Sequence, residues 1–213
     1  MSKRKSETKT ETAADALDFL TKQRKQKVIE HQYLQEIPTV TALPQDTNDS
    51  APLEFRIDPS DLFVDLTETY LYIKLKVVHA DDSDLAENEF VTTVNNLGYS
   101  MWNNVDVYVN NTKITADNTF FPWLSYVHFQ TKCPMYYRDN ILTTSMWYED
   151  QAQFFDESDF TNPDLPHNSG AKDRAAVIAL SKPVELYTKL LTDFIGLPHM
   201  LPNQTEVSFR LIP

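Results

Sequence analysis

The sequence predicts an all-β fold: an antiparallel β-sandwich with one short inserted helix and a separate N-terminal arm. Three observations carry this. Apolar and polar residues alternate in runs from Leu53 to the end of the chain, as strands half-buried in a sandwich require. Asn, Asp, Ser and Pro recur between these runs while Gly supplies only 3 of 213 residues, so turns rest mainly on side chains that tolerate or fix the needed dihedrals. Hydrophobic residues make up 41% of the chain and aromatics 12%, enough for a core that offsets the ordering entropy of one ordinary domain. A jelly roll is one standard way to close such a sandwich with few exposed edges.

Residues 1–49 form the expected arm. Residues 1–12 are rich in Lys, Ser, Thr and Glu, a composition that stays disordered. Over residues 13–30, Ala13, Ala14, Leu17 and Leu20 recur at helical spacing without Gly or Pro. Lys22, Arg24, Lys25 and Lys27 lie in the C-terminal half, where the helix dipole favours cations. The polar run Pro38–Pro52 is an extended connector.

The domain spans residues 50–213. Leu53, Phe55 and Ile57 alternate with Glu54 and Arg56 in a first strand. In the second, Leu71, Ile73, Leu75 and Val77 share one face, and Tyr70, Tyr72, Lys74 and Lys76 the other. That second face carries amphipathic side chains, so it meets solvent or a neighbour. The acidic stretch His79–Glu89 reads as an exposed loop. Val105, Val107 and Val109 mark a third strand, and Asn110-Asn111 turns it into Thr112–Thr115 as a hairpin. Phe120–Lys132 has Pro122 near its start and Leu124, Val127 and His128 on one face, so the inserted helix is placed there. Residues 149–174 read as a long polar loop, followed by strands near Val177–Leu180 and Val184–Leu191. Thr205, Val207, Phe209 and Leu211 alternate with polar neighbours in the closing strand.

Charge and composition exclude several function classes. The net charge of −12 argues against a dedicated nucleic-acid binder. The arm is the exception, with eight Lys or Arg against five Asp or Glu in residues 1–30. Lys3, Arg4 and Lys5 are its candidate contacts, although solvation of a tail is the commoner role of such a run. Cys133 is the sole cysteine, so no intrachain disulfide forms, which suits a reducing compartment. Residues 1–20 lack the apolar region of a secretion signal, and no stretch approaches a membrane span.

Searches for chemistry find no signature. His31, His79, His128, His167 and His199 are scattered, without the clustering on adjacent strands that a cupin-type metal site needs. The acidic runs Asp81–Glu89 and Asp156–Asp164 do not fit the calcium loop with its central Gly and terminal Glu. There is no phosphate-cradling Gly-rich loop and no Gly-x-Ser-x-Gly elbow. Catalytic, cofactor-binding and metal-ligating residues are therefore expected to be none. Trp102, Trp123, Trp147, Tyr136, Tyr137 and Tyr148 would make a carbohydrate platform if exposed together, but core or interface roles are commoner for such residues in a sandwich.

A resemblance adds to this reading. The stretch P-L-E-F-R-I…D-L-F-V-D-L-T-E-T-Y-L-Y-I-K-L-K-V (Pro52–Val77) resembles the major capsid proteins of Polinton/Maverick elements and adintoviruses. Further pieces are similar in the same order: S-M-W-N-N-V-D-V-Y-V-N-N-T-K-I (Ser100–Ile114), S-M-W-Y-E-D (Ser145–Asp150), N-S-G-A-K-D-R (Asn168–Arg174) and M-L-P-N-Q-T-E-V-S-F-R-L (Met200–Leu211). The resemblance implies a double jelly-roll subunit, of which three form a pseudo-hexagonal capsomer in an icosahedral virion shell. The partners it implies are further copies in a homotrimer, neighbouring capsomers and a minor penton protein. No cofactor, catalytic residue, specific nucleic acid or membrane span is implied, and assembly takes place in the host nucleus or cytoplasm. This chain has room for only one jelly roll, the N-terminal half. It reads as a fragment, a truncated element copy or a cloned half. Tyr70, Tyr72, Lys74 and Lys76 are the candidate subunit contacts. The alternative is a lone jelly-roll binding module, for carbohydrate or protein, repurposed from a capsid gene.

Overall fold

Six strands carry the frame: β1 (Leu53–Ile57), β2 (Tyr70–Leu75), β3 (Asn104–Val109), β4 (Thr112–Lys113), β5 (Val184–Lys189) and β6 (Val207–Ile212). The structure, a computed structural model, describes residues 31–43, 51–87, 89–116, 120–155, 167–192, 194–196 and 199–213. The expected disorder of residues 1–12, the helix over 13–30, the candidate contacts Lys3, Arg4 and Lys5, and the whole acidic run 156–164 lie outside the described residues.

The strands form two antiparallel sheets, one four-stranded in the order β1-β6-β3-β4 and one two-stranded, β2-β5. The period-two pattern fixes the register of the larger sheet. Leu53, Leu211 and Val105 form one transverse row, Phe55, Phe209 and Val107 a second, and Ile57, Val207 and Val109 a third. A slip by one residue would turn all three rows outward. On the second sheet Leu71, Ile73 and Leu75 face Thr188, Leu186 and Val184 across the ladder. Leu71, with Ile73 packed beside it, joins Val105, Val107, Val207, Phe209 and Leu211 in one apolar cluster, so both sheets contribute to a shared core. Asn110 (φ 47°) and Asn111 (φ 64°) make the expected β3–β4 turn in the left-handed region that Asn tolerates. The returning strand, expected over Thr112–Thr115, is confined to Thr112–Lys113.

The inserted helix is present as α2 (Phe121–Lys132), with Pro122 in its first turn. Among the described residues, three more helices were not expected, α1 (Leu97–Ser100), α3 (Met135–Asn140) and α4 (Ser169–Ile178), together with 3-10 turns at Leu142–Ser145 and Ala179–Ser181. The largest correction concerns α4. Its residues span the end of the expected polar loop and the first half of the strand placed near Val177–Leu180, whose second half lies in the 3-10 turn Ala179–Ser181. Asn168 caps it, its Oδ1 accepting the Ala171 N–H at 3.3 Å. Alanines at 171, 175 and 176 then favour helix over strand.

Aromatic packing fixes α2 to the core. Phe121, Ser125 and Phe129 are its buried face. Phe129 meets Tyr99 edge-on at 4.9 Å and Trp147 at 6.0 Å, and Tyr126 lies 5.1 Å from Trp147. Burial pushes the Tyr99 phenol far above its ordinary value. A group whose pKa is raised on folding contributes stability that is complete below its unfolded value, about 10 for tyrosine, and is lost as pH rises through the folded one. Urea unfolding at about pH 8, 10 and 11 should therefore show stability declining above roughly pH 10. Tyr99→Phe should lessen that decline, and an equally steep decline in the variant would assign the effect elsewhere.

Candidate functional site

The outer face of the β2–β5 sheet is where the sequence placed the candidate contacts, and the alternation delivers them there. Tyr70 and Tyr72 are 54% and 48% exposed, while Leu71 between them is buried. Strand pairing sets Tyr70 opposite Lys189, Tyr72 opposite Tyr187 and Lys74 opposite Glu185. The Tyr72 and Tyr187 rings lie 4.9 Å apart, a cross-strand aromatic pair at the middle of the face. On one side of it, Lys74 Nζ reaches Glu185 at 3.3 Å. On the other, Lys189 Nζ stands 5.7 Å over the Tyr70 ring and 3.8 Å from Glu68. The Tyr70 hydroxyl donates to Glu68 at 3.0 Å, and that bond is the main reason its pKa rises. For Tyr72, partial desolvation comes first and the Glu185 carboxylate second. Lys76 lies just past the strand and pairs with Asp84 at 2.5 Å, so it belongs with the acidic loop rather than with the tyrosines.

The outer β2–β5 face has an aromatic centre flanked by paired charges, which resembles the anatomy of protein interfaces. The exposed ion pairs add little stability to the domain itself.

Other candidates separate. Trp102 and Trp147 are buried, whereas Trp123 and Tyr136 are exposed, so the six aromatics do not form one platform. Among the described residues, no group of three or more His, Cys, Asp or Glu side chains is placed to hold a metal ion. His79 pairs with Glu89 at 2.9 Å in the expected exposed loop. Burial pushes the Cys133 thiol up, against a smaller opposing pull from the Arg138 guanidinium, which disfavours the thiolate that nucleophilic chemistry needs. Among the described residues, no helix is long and apolar enough to cross a membrane.

One buried polar centre escaped sequence reasoning. Arg174 is 4% exposed and uses all three guanidinium nitrogens. Its Nε donates to the Thr93 carbonyl at 3.0 Å, Nη1 to the Tyr148 carbonyl at 2.9 Å and Nη2 to Asp150 Oδ1 at 2.7 Å. Asn168 Nδ2 also donates to Asp150 Oδ1, at 2.9 Å, while Asn168 Oδ1 accepts the Gln151 N–H at 3.2 Å. The segments Ser145–Asp150 and Asn168–Arg174, quoted above only for their resemblance, thus meet in one network. Within the first, Met146 and Trp147 enter two different apolar clusters. The Tyr148 N–H meanwhile donates to Asn95 Oδ1 at 3.0 Å. The signal lay in a capping Asn followed six residues later by an Arg with no acidic partner inside its own helix.

Comparison of the chain with protein-family models, with curated proteins and with solved structures finds no match.

Proposed function

We propose that this chain is a structural subunit of a virion shell, the N-terminal jelly roll of a capsid protein like those of Polinton/Maverick elements and adintoviruses. The observation that carries this reading is the nesting of strand pairs. A jelly roll is one long antiparallel hairpin rolled into two facing sheets, so its outermost strands pair with each other and the next pair lies inside them. Here the first strand, β1, pairs with the last, β6, and β2 pairs with β5. The roll also brings the closing strand beside the third, as in the β6–β3 ladder. The helices α2, α3 and α4 fill the sequence between β4 and β5, where a regular jelly roll has further strands.

In this function the domain works by adhesion. Three copies close a ring and rings tile a shell, within a virus particle assembled inside its host cell. The outer β2–β5 face is the ring contact, with Tyr72 and Tyr187 at its centre. The alternative is a lone jelly-roll binding module for a carbohydrate or a protein, and its carbohydrate form loses two of its six aromatics to the core.

Sedimentation velocity tests the ring contact. The wild-type chain should sediment as trimers or larger species. Tyr72→Glu combined with Tyr187→Glu should shift it to lower-order species with a melting temperature within a few degrees of wild type, because both side chains are half exposed. A wild-type chain that stays at 24.6 kDa over the accessible concentration range would reject the reading.

A further inference from the structure

The helix α2 has a second apolar face that the core does not use. Phe121, Ser125 and Phe129 point inward. Phe120, Trp123, Leu124 and Val127 recur at helical spacing on the opposite side and are 63%, 71%, 53% and 55% exposed. Soluble surfaces seldom leave such a stripe uncovered, and a tryptophan exposed at its centre is the typical anchor of a protein contact. The four side chains present on the order of 400–500 Å² of apolar surface. Met135 and Tyr136 on α3, a helix tied to α2 by the bond from Arg138 Nη1 to Gln130 Oε1, are also exposed. Two such stripes packed together bury about 800–1,000 Å² in total, the size of a weak, reversible contact.

Charge selects the occupant. The chain carries −12 overall, so two copies repel over most of their surfaces. Phe120–Thr131 contains no Asp, Glu, Lys or Arg, and it is where two copies meet without that repulsion. A strongly charged partner would find no counter-charge there. We propose that the solvent face of α2 is a two-fold docking surface for a second copy of this chain, with the two helices packed antiparallel and Trp123 as anchor. This deepens the shell reading and rests on it in one respect: a shell needs one contact that closes rings and another that links them. The β2–β5 face serves as the first and α2 as the second.

Sedimentation velocity on the full chain, as wild type, Trp123→Glu, Val127→Glu and the Tyr72→Glu/Tyr187→Glu pair, tests it. Each α2 variant should weaken two-fold association at least about 30-fold, as loss of an interface anchor does. Each should melt within a few degrees of wild type, since these side chains are exposed. The tyrosine pair should leave the two-fold contact intact. If both α2 variants associate as wild type does, the docking surface is overturned while the ring reading stands. If the wild type forms dimers only and Trp123→Glu makes monomers, the docking surface stands and the shell reading falls. A wild type that is monomeric throughout overturns both, and points to residues 1–30 of the same chain as the cover of the stripe.

Discussion

Arg174→Met is expected to destabilise the domain by about 3–5 kcal/mol, the usual cost of removing one partner from a buried charged pair. The guanidinium is almost wholly buried, and its three bonds reach two other chain segments, one at Thr93 and one at Tyr148 and Asp150. Met fills similar volume but leaves the Asp150 carboxylate in a poorly solvated site with only the Asn168 amide as a donor from this network. Two backbone carbonyls also lose their donor. For a domain of this size the loss corresponds to a fall in melting temperature of about 6–20 °C. Urea unfolding measures it directly. Arg174→Met combined with Asp150→Leu should recover part of the loss, because the stranded charge is then gone. A single variant within about 1 kcal/mol of wild type would show that water replaces the guanidinium, against the burial described here.

Gly170→Val is the second large effect, and it works through space rather than charge. A Cβ at Gly170 would lie 2.5 Å from the Glu149 carbonyl oxygen and 2.7 Å from that of Tyr148. Both obstacles are backbone, held by Trp147 in one core and Met146 in the other, so they cannot step aside cheaply. The helix α4 must back away, and this lengthens the bonds from Arg174 and Asn168. Ala should cost about 1–3 kcal/mol by overpacking and Val more. The Gly170→Val and Arg174→Met losses should combine to less than their sum, since the first already loosens what the second removes. A fully additive double variant would mean that the two residues act independently. Gly98 makes a contrasting case: its Cβ would meet the Thr188 hydroxyl at 2.2 Å, a side-chain obstacle that substitution at Thr188 can remove.

The frame was legible in the sequence because period-two alternation reports burial directly. The inward rows of β1, β3 and β6 and the outward tyrosines of β2 follow from it, whereas the burial of Asn104 and Asp106 on the other face of β3 does not. The helix α2 was legible from Pro122 and the unbroken run after it. Its two-sided apolarity is not evident from the single face of Leu124, Val127 and His128: Leu124 and Val127 point to solvent, and Phe121 and Phe129 pack on the core. The helix α4 was hidden by Gly170, which reads as a loop signal in sequence but here serves close approach to the 148–149 backbone. The Arg174 network was hidden because the three partners of the guanidinium lie 24 to 81 residues from it in the chain, and only the Asn168 cap is local. The outer β2–β5 face was half visible: Tyr70, Tyr72 and Lys74 stood out, while Tyr187, Glu185 and Lys189 appeared only when the pairing with β5 brought them alongside.

Electron microscopy of the purified chain, at rising protein concentration and with enough salt to screen its −12 charge, tests the shell reading most directly. The account predicts three-fold rings that join into sheets or closed shells. Images that hold only isolated particles the size of one 24.6 kDa chain under every condition would contradict it.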